Sequence, residues 1–246
     1  MSLSKINPKN TEAWKMLIKK REEIAGIQII DLFDSSKNRI EKFSIEFDKM
    51  FLDFSKNIIN DETFELLLKL CEDCELKKNI KSLFNGEKIN ETENRSVLHT
   101  ALRDFNLNSE IGKELLLDRQ KIEKFTNDIL SGKTRGSTNK KITDIVNVGI
   151  GGSDLGPNMV VESLKFYKTD LNCHFVSNVD GDHLQEVLKL VDPETTVFII
   201  VSKTFTTQET LTNAKKIKEF LVSRSIEDIS KHFLGVTSNI KSAVEF

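Results

Sequence analysis

The spacing of apolar residues along the chain changes near residue 131 and divides the sequence into two parts. Up to that point, apolar residues recur at steps of three and four, which is the spacing of amphipathic helices. The predicted helices cover residues 10–24, 38–53, 62–74 and 112–131. The last helix is predicted to place four apolar residues on one face, Leu115, Ile122, Phe125 and Ile129. Residues 1–131 are therefore predicted to form a mostly helical N-terminal region.

Beyond residue 131, short runs of apolar and β-branched residues alternate with amphipathic helices. The predicted strands lie near residues 143–150, 173–178, 196–202 and 233–237. Strands and helices that alternate in this way predict an α/β fold, with a parallel sheet covered by helices on both faces. We expect one such domain over residues 132–246, entered through a linker, GKTRGSTNKK, at 132–141. Ligands of such folds bind beyond the carboxyl ends of the strands.

The loop after the first predicted strand is rich in glycine and reads GIGGSDLGP from Gly149. A strand that runs through glycines into a helix directs backbone N–H groups at the turn, which suits a phosphate. The spacing does not fit a dinucleotide fingerprint, because Asp154 stands where the third glycine belongs, nor a Walker loop, because Pro157 stands in place of lysine. Ser153 is predicted to cap the following helix, with Pro157 in its first turn. The glycines alone leave two interpretations open, a phosphate site or a tight crossover.

The loop after the third predicted strand reads SKTFTT and favours the phosphate interpretation. It places four hydroxyls and one lysine in six residues at the start of a helix, namely Ser202, Lys203, Thr204, Thr206 and Thr207. Hydroxyls and backbone amides donate hydrogen bonds to a phosphate monoester, and lysine offsets its charge. Thr206 and Glu209 also match a capping box, but capping uses only one hydroxyl.

The two remaining strand ends carry less chemical information. Asn178, Asp180 and Gly181 form an ordinary turn into a helix that is predicted to start near Asp182. In FLGVTSNIKSAVEF, Ser238 or Asn239 is predicted to cap a helix. The chain stops about two turns later, so we expect it to be cut inside a domain.

Composition limits the classes of function. The chain has 246 residues and a net charge of −2, which provides no field to attract nucleic acid or an anionic membrane. It contains no run of 18 apolar residues and no secretory signal. Three cysteines fit a reducing compartment, and the CxxC of Cys71 and Cys74 lies inside a predicted helix without a second pair for zinc. We expect a soluble, cytoplasmic protein without a metal site.

Four segments together resemble the glucose-6-phosphate isomerase family: GIGGSDLGP, SNVDG, SKTFTTQET and GEKINETENRSVLHTALR at 86–103. Fainter matches in AWKML, EKFSIEF and DFSKN extend the resemblance over essentially the whole chain. The resemblance implies a homodimeric enzyme built from two flavodoxin-like sugar-isomerase (SIS) domains and helical arms. Such an enzyme interconverts glucose 6-phosphate and fructose 6-phosphate without a metal or organic cofactor.

The resemblance also implies roles for individual residues. Ser202, Lys203, Thr204 and Thr207 would hold the phosphate of the hexose 6-phosphate, and Gly152 and Ser153 would line the sugar side. The family opens the sugar ring and moves a proton between C2 and C1 through an enediolate, using a glutamate, an arginine, a histidine and a lysine. The motifs that carry these four residues are absent. We therefore expect no catalytic residue in this chain, which would be the N-terminal, phosphate-binding half, with weak binding and no turnover.

The sequence is less consistent with two other classes of function than with an isomerase fragment. A non-catalytic sugar-phosphate-binding module of a regulator would be supported by a fused DNA-binding segment, but residues 1–131 lack a basic face. An NAD- or nucleotide-dependent enzyme is disfavoured by the glycine spacing.

Overall fold

The computed structural model describes residues 3–103 and 109–246. The chain divides into two compact units, Met1–Lys113 and Glu114–Phe246. This division falls within helix α6 (Glu110–Leu130). The domain boundary predicted at 131/132 lies just after that helix and stays a prediction.

The first unit is mainly helical, as predicted. The helices are α1 (Glu12–Ile24), α2 (Ile29–Asp34), α3 (Arg39–Lys42), α4 (Asp61–Asp73) and α5 (Leu76–Phe84). The two longest of these, α1 and α4, begin at polar caps: the Thr11 hydroxyl accepts a hydrogen bond from the N–H of Trp14, and the Asn60 side chain accepts one from the N–H of Thr63. Cys71 lies in α4 and Cys74 at its end, and both are free thiols.

The helix predicted over residues 38–53 is wrong. Only α3 is helical there, and an antiparallel hairpin follows, formed by β1 (Ser44–Phe47) and β2 (Met50–Asp53). Asp48 adopts a left-handed φ of 52° at the hairpin turn, a conformation that aspartate tolerates better than most residues. Phe43, Ile45 and Phe47 also alternate with polar residues, which is the period of a strand.

The second unit is the predicted α/β fold. After α6, its elements are β3 (Asp144–Val148), α7 (Gly152–Ser163), β4 (Asn172–Val176), α8 (Gly181–Leu190), β5 (Thr196–Val201), α9 (Gln208–Ser223), β6 (Phe233–Val236) and α10 (Ile240–Glu245). The four strands are parallel and lie in the order β4-β3-β5-β6. The predicted parallel sheet is confirmed.

Helices pack on both faces of this sheet. One face of β3 and β5 contributes residues such as Val146 and Phe198 to a core shared with α8 and α9. The other face packs Val197 against Ile129 of α6, with Phe125 partly buried beside them. Ile122 departs from the predicted apolar face of α6, because 67% of its surface is exposed.

The strand order reverses direction at β3. The chain leaves β3 for β4 on one side and then crosses to β5 on the other side. In open parallel sheets, this reversal opens a crevice at the carboxyl ends of the two central strands, and ligands bind there. The loops after β3 and β5 both emerge at this position.

The segment predicted as a linker, 132–141, packs against the sheet domain instead. The N–H of Ser137 donates to Nε2 of the buried His232, and Nδ1 of His232 donates to the carbonyl of Thr196. At Gly136, an added Cβ would lie 2.1 Å from the carbonyl oxygen of Glu194. The linker prediction failed because glycine is typical of flexible linkers and is also required where two backbone segments approach too closely for a Cβ.

Two further observations apply to the residues that the structure describes. No helix among them is long and apolar enough to span a membrane. Within the same residues, His, Cys, Asp and Glu side chains form no cluster that could hold a metal ion.

Candidate functional site

The glycine loop, Gly149–Gly152, connects β3 to α7. At two of its positions, a residue with a side chain would clash or be strained. A Cβ on Gly149 would lie 2.6 Å from the carbonyl oxygen of Ser153, so only glycine lets the helix start this close to the strand. Gly151 adopts φ 58° and ψ −122°, outside the range of residues with a side chain. Around Gly152, by contrast, an added Cβ would meet no atom within 4 Å. The loop therefore presents bare backbone to open space at the N-terminus of α7.

Two predictions about this helix start are wrong. The residue at the N-cap is Gly151, with no side-chain cap, and Ser153 is the second residue of α7. Pro157 lies inside the helix, beyond its first turn. A helical residue at 157 would donate its N–H to the Ser153 carbonyl, which proline cannot do. The side-chain amide of Asn147 on β3 donates to that carbonyl instead, at 3.0 Å.

The hydroxyl loop, Ser202–Thr207, connects β5 to α9. Thr207 is the N-cap residue of α9, but no side chain makes a capping hydrogen bond there, so the predicted capping box of Thr206 and Glu209 is wrong. The hydroxyls of Thr204 and Thr206 instead lie 2.7 Å apart, and those of Ser202 and Thr207 lie 3.1 Å apart. The 16-residue helix α9 thus begins without a side-chain cap, and four hydroxyl groups lie in the loop that immediately precedes it.

A tight turn shapes the hydroxyl loop. The N–H of Phe205 donates to the carbonyl of Ser202 at 3.2 Å, which places Lys203 and Thr204 at the corner of the turn. Both corner residues are exposed, whereas Ser202 and Phe205 are buried. Phe205 has a φ of 53°, a left-handed conformation that costs a residue with a side chain about 1 kcal/mol. Its buried ring therefore stabilises a turn that exposes the lysine and threonine.

The turn after β6, Thr237–Asn239, contacts the hydroxyl loop, and sequence analysis missed this relationship. The hydroxyls of Thr237 and Ser238 and the N–H of Ser238 all donate to the carbonyl of Lys203. The side-chain amide of Asn239 donates to the carbonyl of Thr204 at 3.0 Å. Of the two residues predicted to cap the last helix, Asn239 is the one that caps α10, by accepting from the N–H of Ser242.

The loop after β4 is an ordinary turn, as predicted. The carboxylate of Asp180 accepts hydrogen bonds from the N–H groups of Asp182 and His183 and so caps α8. The carbonyl of Asn178 accepts from the side-chain amide of the buried Asn213 on α9, at 2.9 Å. These contacts fix the loop to two helices, and its carboxylate is committed to capping.

The structure brings the predicted site residues onto two neighbouring loops. β3 and β5 are paired in register, with Val148 opposite Ile200, so their following loops leave the same edge of the sheet. Gly152 and Ser153 lie at the N-terminus of α7. The other five, Ser202, Lys203, Thr204, Thr206 and Thr207, lie on the hydroxyl loop at the N-terminus of α9. The N-termini of α7 and α9, each with a partial positive charge, thus lie beyond the carboxyl ends of β3 and β5, where the strand order reverses.

A family model for phosphoglucose isomerase matches residues 53–246, which is most of the chain and includes both loops. The chain belongs to the phosphoglucose isomerase family. The glucose-6-phosphate isomerase of Christiangramia forsetii is 50% identical over 251 residues, which cover 99% of this chain and 46% of the relative.

A solved structure agrees with this assignment. The crystal structure of a glucose-6-phosphate isomerase from Chlamydia trachomatis matches with a TM-score of 0.76 at 27% identity. The match covers 95% of this chain and 45% of that one. The chain therefore spans about half the length of the relatives that it matches.

Proposed function

We propose that the chain binds the phosphate group of a hexose 6-phosphate on the hydroxyl loop and serves the interconversion of glucose 6-phosphate and fructose 6-phosphate. Membership of the phosphoglucose isomerase family supports the reaction. The observation that carries the phosphate site is the arrangement of hydroxyls around the uncapped first turn of α9. We also propose that, as part of a full-length enzyme, the chain forms a cytoplasmic homodimer that needs no metal or organic cofactor.

The chemistry of the hydroxyl loop suits a phosphate monoester. A helix N-terminus offers backbone N–H groups and about half a positive charge. Thr204 and Thr206 are exposed, so their hydroxyls can turn from each other to phosphate oxygens. Lys203 lies at the exposed corner of the same turn and supplies a full positive charge. Charge-assisted hydrogen bonds of this kind are about twice as strong as those between neutral groups.

The sugar is proposed to extend from the phosphate towards the glycine loop. The open space at Gly152 lets a ligand approach the backbone. Ser153 follows in the first turn of α7 and offers a hydroxyl. The two loops leave neighbouring strands, so one small ligand can contact both.

The chain is proposed to bind and orient the substrate rather than to transfer its proton. Isomerisation moves a proton from C2 to C1 through an enediolate, which requires a base within hydrogen-bond reach. Four carboxylates lie on or beside the loops after β3, β4 and β5, those of Asp154, Asp180, Asp182 and Glu209. Asp180 is committed to capping α8, and Asp154 is buried. Asp182 and Glu209 are exposed in the first turns of α8 and α9, where a negative charge stabilises the helix N-terminus. Anchoring the phosphate would still lower the barrier by holding C1 and C2 in place for a base outside this chain.

Binding and turnover test the proposal separately. The purified chain is heated with fructose 6-phosphate, with fructose or with NAD, and its unfolding temperature is measured. We expect fructose 6-phosphate alone to raise it, because only that ligand has the phosphomonoester. A rise with NAD but not with the phosphosugar would overturn the proposal.

The isomerisation of fructose 6-phosphate is then followed in the same preparation. We expect none above the uncatalysed rate. Measurable turnover by the 246-residue chain would show that the acid–base groups lie within it.

A further inference from the structure

Three hydrogen bonds from the β6 turn, Thr237–Asn239, converge on one carbonyl of the hydroxyl loop. The Lys203 oxygen accepts from the N–H of Ser238 at 3.0 Å, from its hydroxyl at 2.7 Å and from the hydroxyl of Thr237 at 3.1 Å. A carbonyl oxygen has two lone pairs, so three donors saturate it. The peptide between Lys203 and Thr204 is thereby fixed in one orientation.

The orientation of that peptide decides where its N–H points. In a trans peptide, the C=O and N–H bonds point in opposite directions. Because the Lys203 carbonyl faces the β6 turn, the N–H of Thr204 is directed away from that turn. The next peptide is held in the same manner: the Thr204 carbonyl accepts from Asn239, and the N–H of Phe205 donates to Ser202.

Asn239 connects the hydroxyl loop to α10 through the two ends of one side chain. Its Nδ2 donates to the Thr204 carbonyl, and its Oδ1 accepts from the N–H of Ser242 in the first turn of α10. The N–H of Asn239 itself donates to the hydroxyl of Thr237 at 3.0 Å, which makes the turn rigid. The β6 turn is therefore held by its own hydrogen bonds, and it fixes two successive carbonyls of the hydroxyl loop, those of Lys203 and Thr204.

We infer that Ser238 and Asn239 are positioning residues, which hold the hydroxyl loop in the conformation that binds phosphate. This inference rests on the proposed function. Neither residue needs to touch the ligand: they act through the backbone of Lys203 and Thr204. A loop that is ordered before binding loses less conformational freedom when the ligand arrives, so its affinity is higher. The left-handed Phe205 makes such bracing necessary, because a strained turn otherwise relaxes.

Two substitutions each delete one side-chain donor to the hydroxyl loop without removing the β6 turn. Ser238→Ala deletes the hydroxyl donor and keeps the N–H, and Ser238→Thr keeps both. Asn239→Ser retains an oxygen that can cap α10 and deletes the amide that reaches Thr204. Ser223→Ala is the matched control, because the Ser223 hydroxyl also donates to a backbone carbonyl at 2.7 Å, at the far end of α9.

The dissociation constants for inorganic phosphate and fructose 6-phosphate are measured by calorimetry on the 246-residue chain. The phosphate-induced shift of the Thr204 amide is measured by NMR. We expect Ser238→Ala and Asn239→Ser each to raise both dissociation constants roughly threefold to tenfold and to reduce the Thr204 shift. Ser238→Thr should restore the wild-type values, and Ser223→Ala should leave them unchanged.

The outcomes separate the inference from the proposed function. Wild-type chain that binds neither ligand would overturn the proposed phosphate site and the positioning role with it. Wild-type binding together with unchanged constants and an unchanged Thr204 shift in both variants would overturn the positioning role alone. A lower unfolding temperature with unchanged affinity would likewise show that the β6 turn only stabilises the fold.

Discussion

The side-chain amide of Asn147 donates a hydrogen bond to the carbonyl of Ser153, 3.0 Å away. Pro157 lies four residues beyond Ser153 and lacks the N–H that would otherwise bond to this carbonyl. A buried residue of β3 thus replaces a missing helix hydrogen bond in α7 and fixes the helix start against the strand. The geometry of the glycine loop depends on that contact.

Asn147→Ala should leave the Ser153 carbonyl without its donor. We expect the free energy of unfolding to fall by about 1–3 kcal/mol, the usual cost of an unpaired buried polar group. In a Pro157→Ala background, the helix N–H is restored, so the same substitution should cost less. Urea unfolding of the two single variants and the double variant measures this difference. Equal costs in both backgrounds would mean that Asn147 does not compensate for the proline.

Three glycines of the first loop and helix should respond differently to alanine. Gly149→Ala places a Cβ against the Ser153 carbonyl and should destabilise the chain by about 1–3 kcal/mol. Gly156→Ala meets no atom within 4 Å inside α7 and should stabilise it by about 0.5–1 kcal/mol. Gly152→Ala also meets no atom, so it should fold normally and weaken only the binding of fructose 6-phosphate. Unfolding curves and calorimetric titration of all three test this ranking.

The parallel sheet could be predicted because its buried strands read as short apolar runs, such as Val197–Val201, separated by amphipathic helices. The hairpin at 44–53 could not, because its apolar residues fit a helical spacing and a strand alternation equally well. Contacts with the rest of the fold decide between the two patterns, and these contacts cannot be deduced from a single stretch of sequence.

The residues of the candidate site could be predicted from local composition, whereas the hydrogen bonds from the β6 turn to the hydroxyl loop could not. Ser202–Thr207 stands out because hydroxyls and a lysine gather before a helix. The contact of Ser238 and Asn239 with that loop follows from the pairing of β5 with β6. Strand order is a long-range property, so no motif around residue 238 could have indicated this role.

His232 should act as a structural residue. It is fully buried, and its two ring nitrogens bond to the Ser137 N–H and the Thr196 carbonyl. His232→Ala leaves both groups unpaired beside a cavity, so we expect a loss of roughly 2–4 kcal/mol in the free energy of unfolding. The exposed His183 is the control, and His183→Ala should change stability by less than about 0.5 kcal/mol. A small effect at His232 would contradict the packing of residues 132–141 on the sheet.

Glu194 should contribute to stability at neutral pH and lose that contribution in acid. The side-chain hydrogen bond from Lys140, followed by that from Thr138, lowers the pKa of Glu194 below its usual value. A carboxyl with a lowered folded pKa stabilises the protein above its unfolded pKa of about 4.3, and the effect disappears as the pH falls through the folded value. Glu194→Gln should therefore differ from the wild type at about pH 6 and converge with it as the pH falls through the folded pKa of Glu194. Glu227→Gln, at an exposed carboxylate, is the control. A difference that stays constant with pH would rule out this linkage.

Thr204→Val should separate phosphate recognition from folding. Thr204 is exposed, and its hydroxyl lies 2.7 Å from that of Thr206. Thr206 is also exposed, so its hydroxyl can bond to water when the Thr204 hydroxyl is removed. We therefore expect stability to change by less than about 0.5 kcal/mol. The dissociation constant for fructose 6-phosphate should rise roughly threefold to tenfold, because one donor to the phosphate is lost. Thr212→Val, at an exposed position of α9 away from the loop, should leave it unchanged. Equal affinities in the two variants would place the phosphate elsewhere.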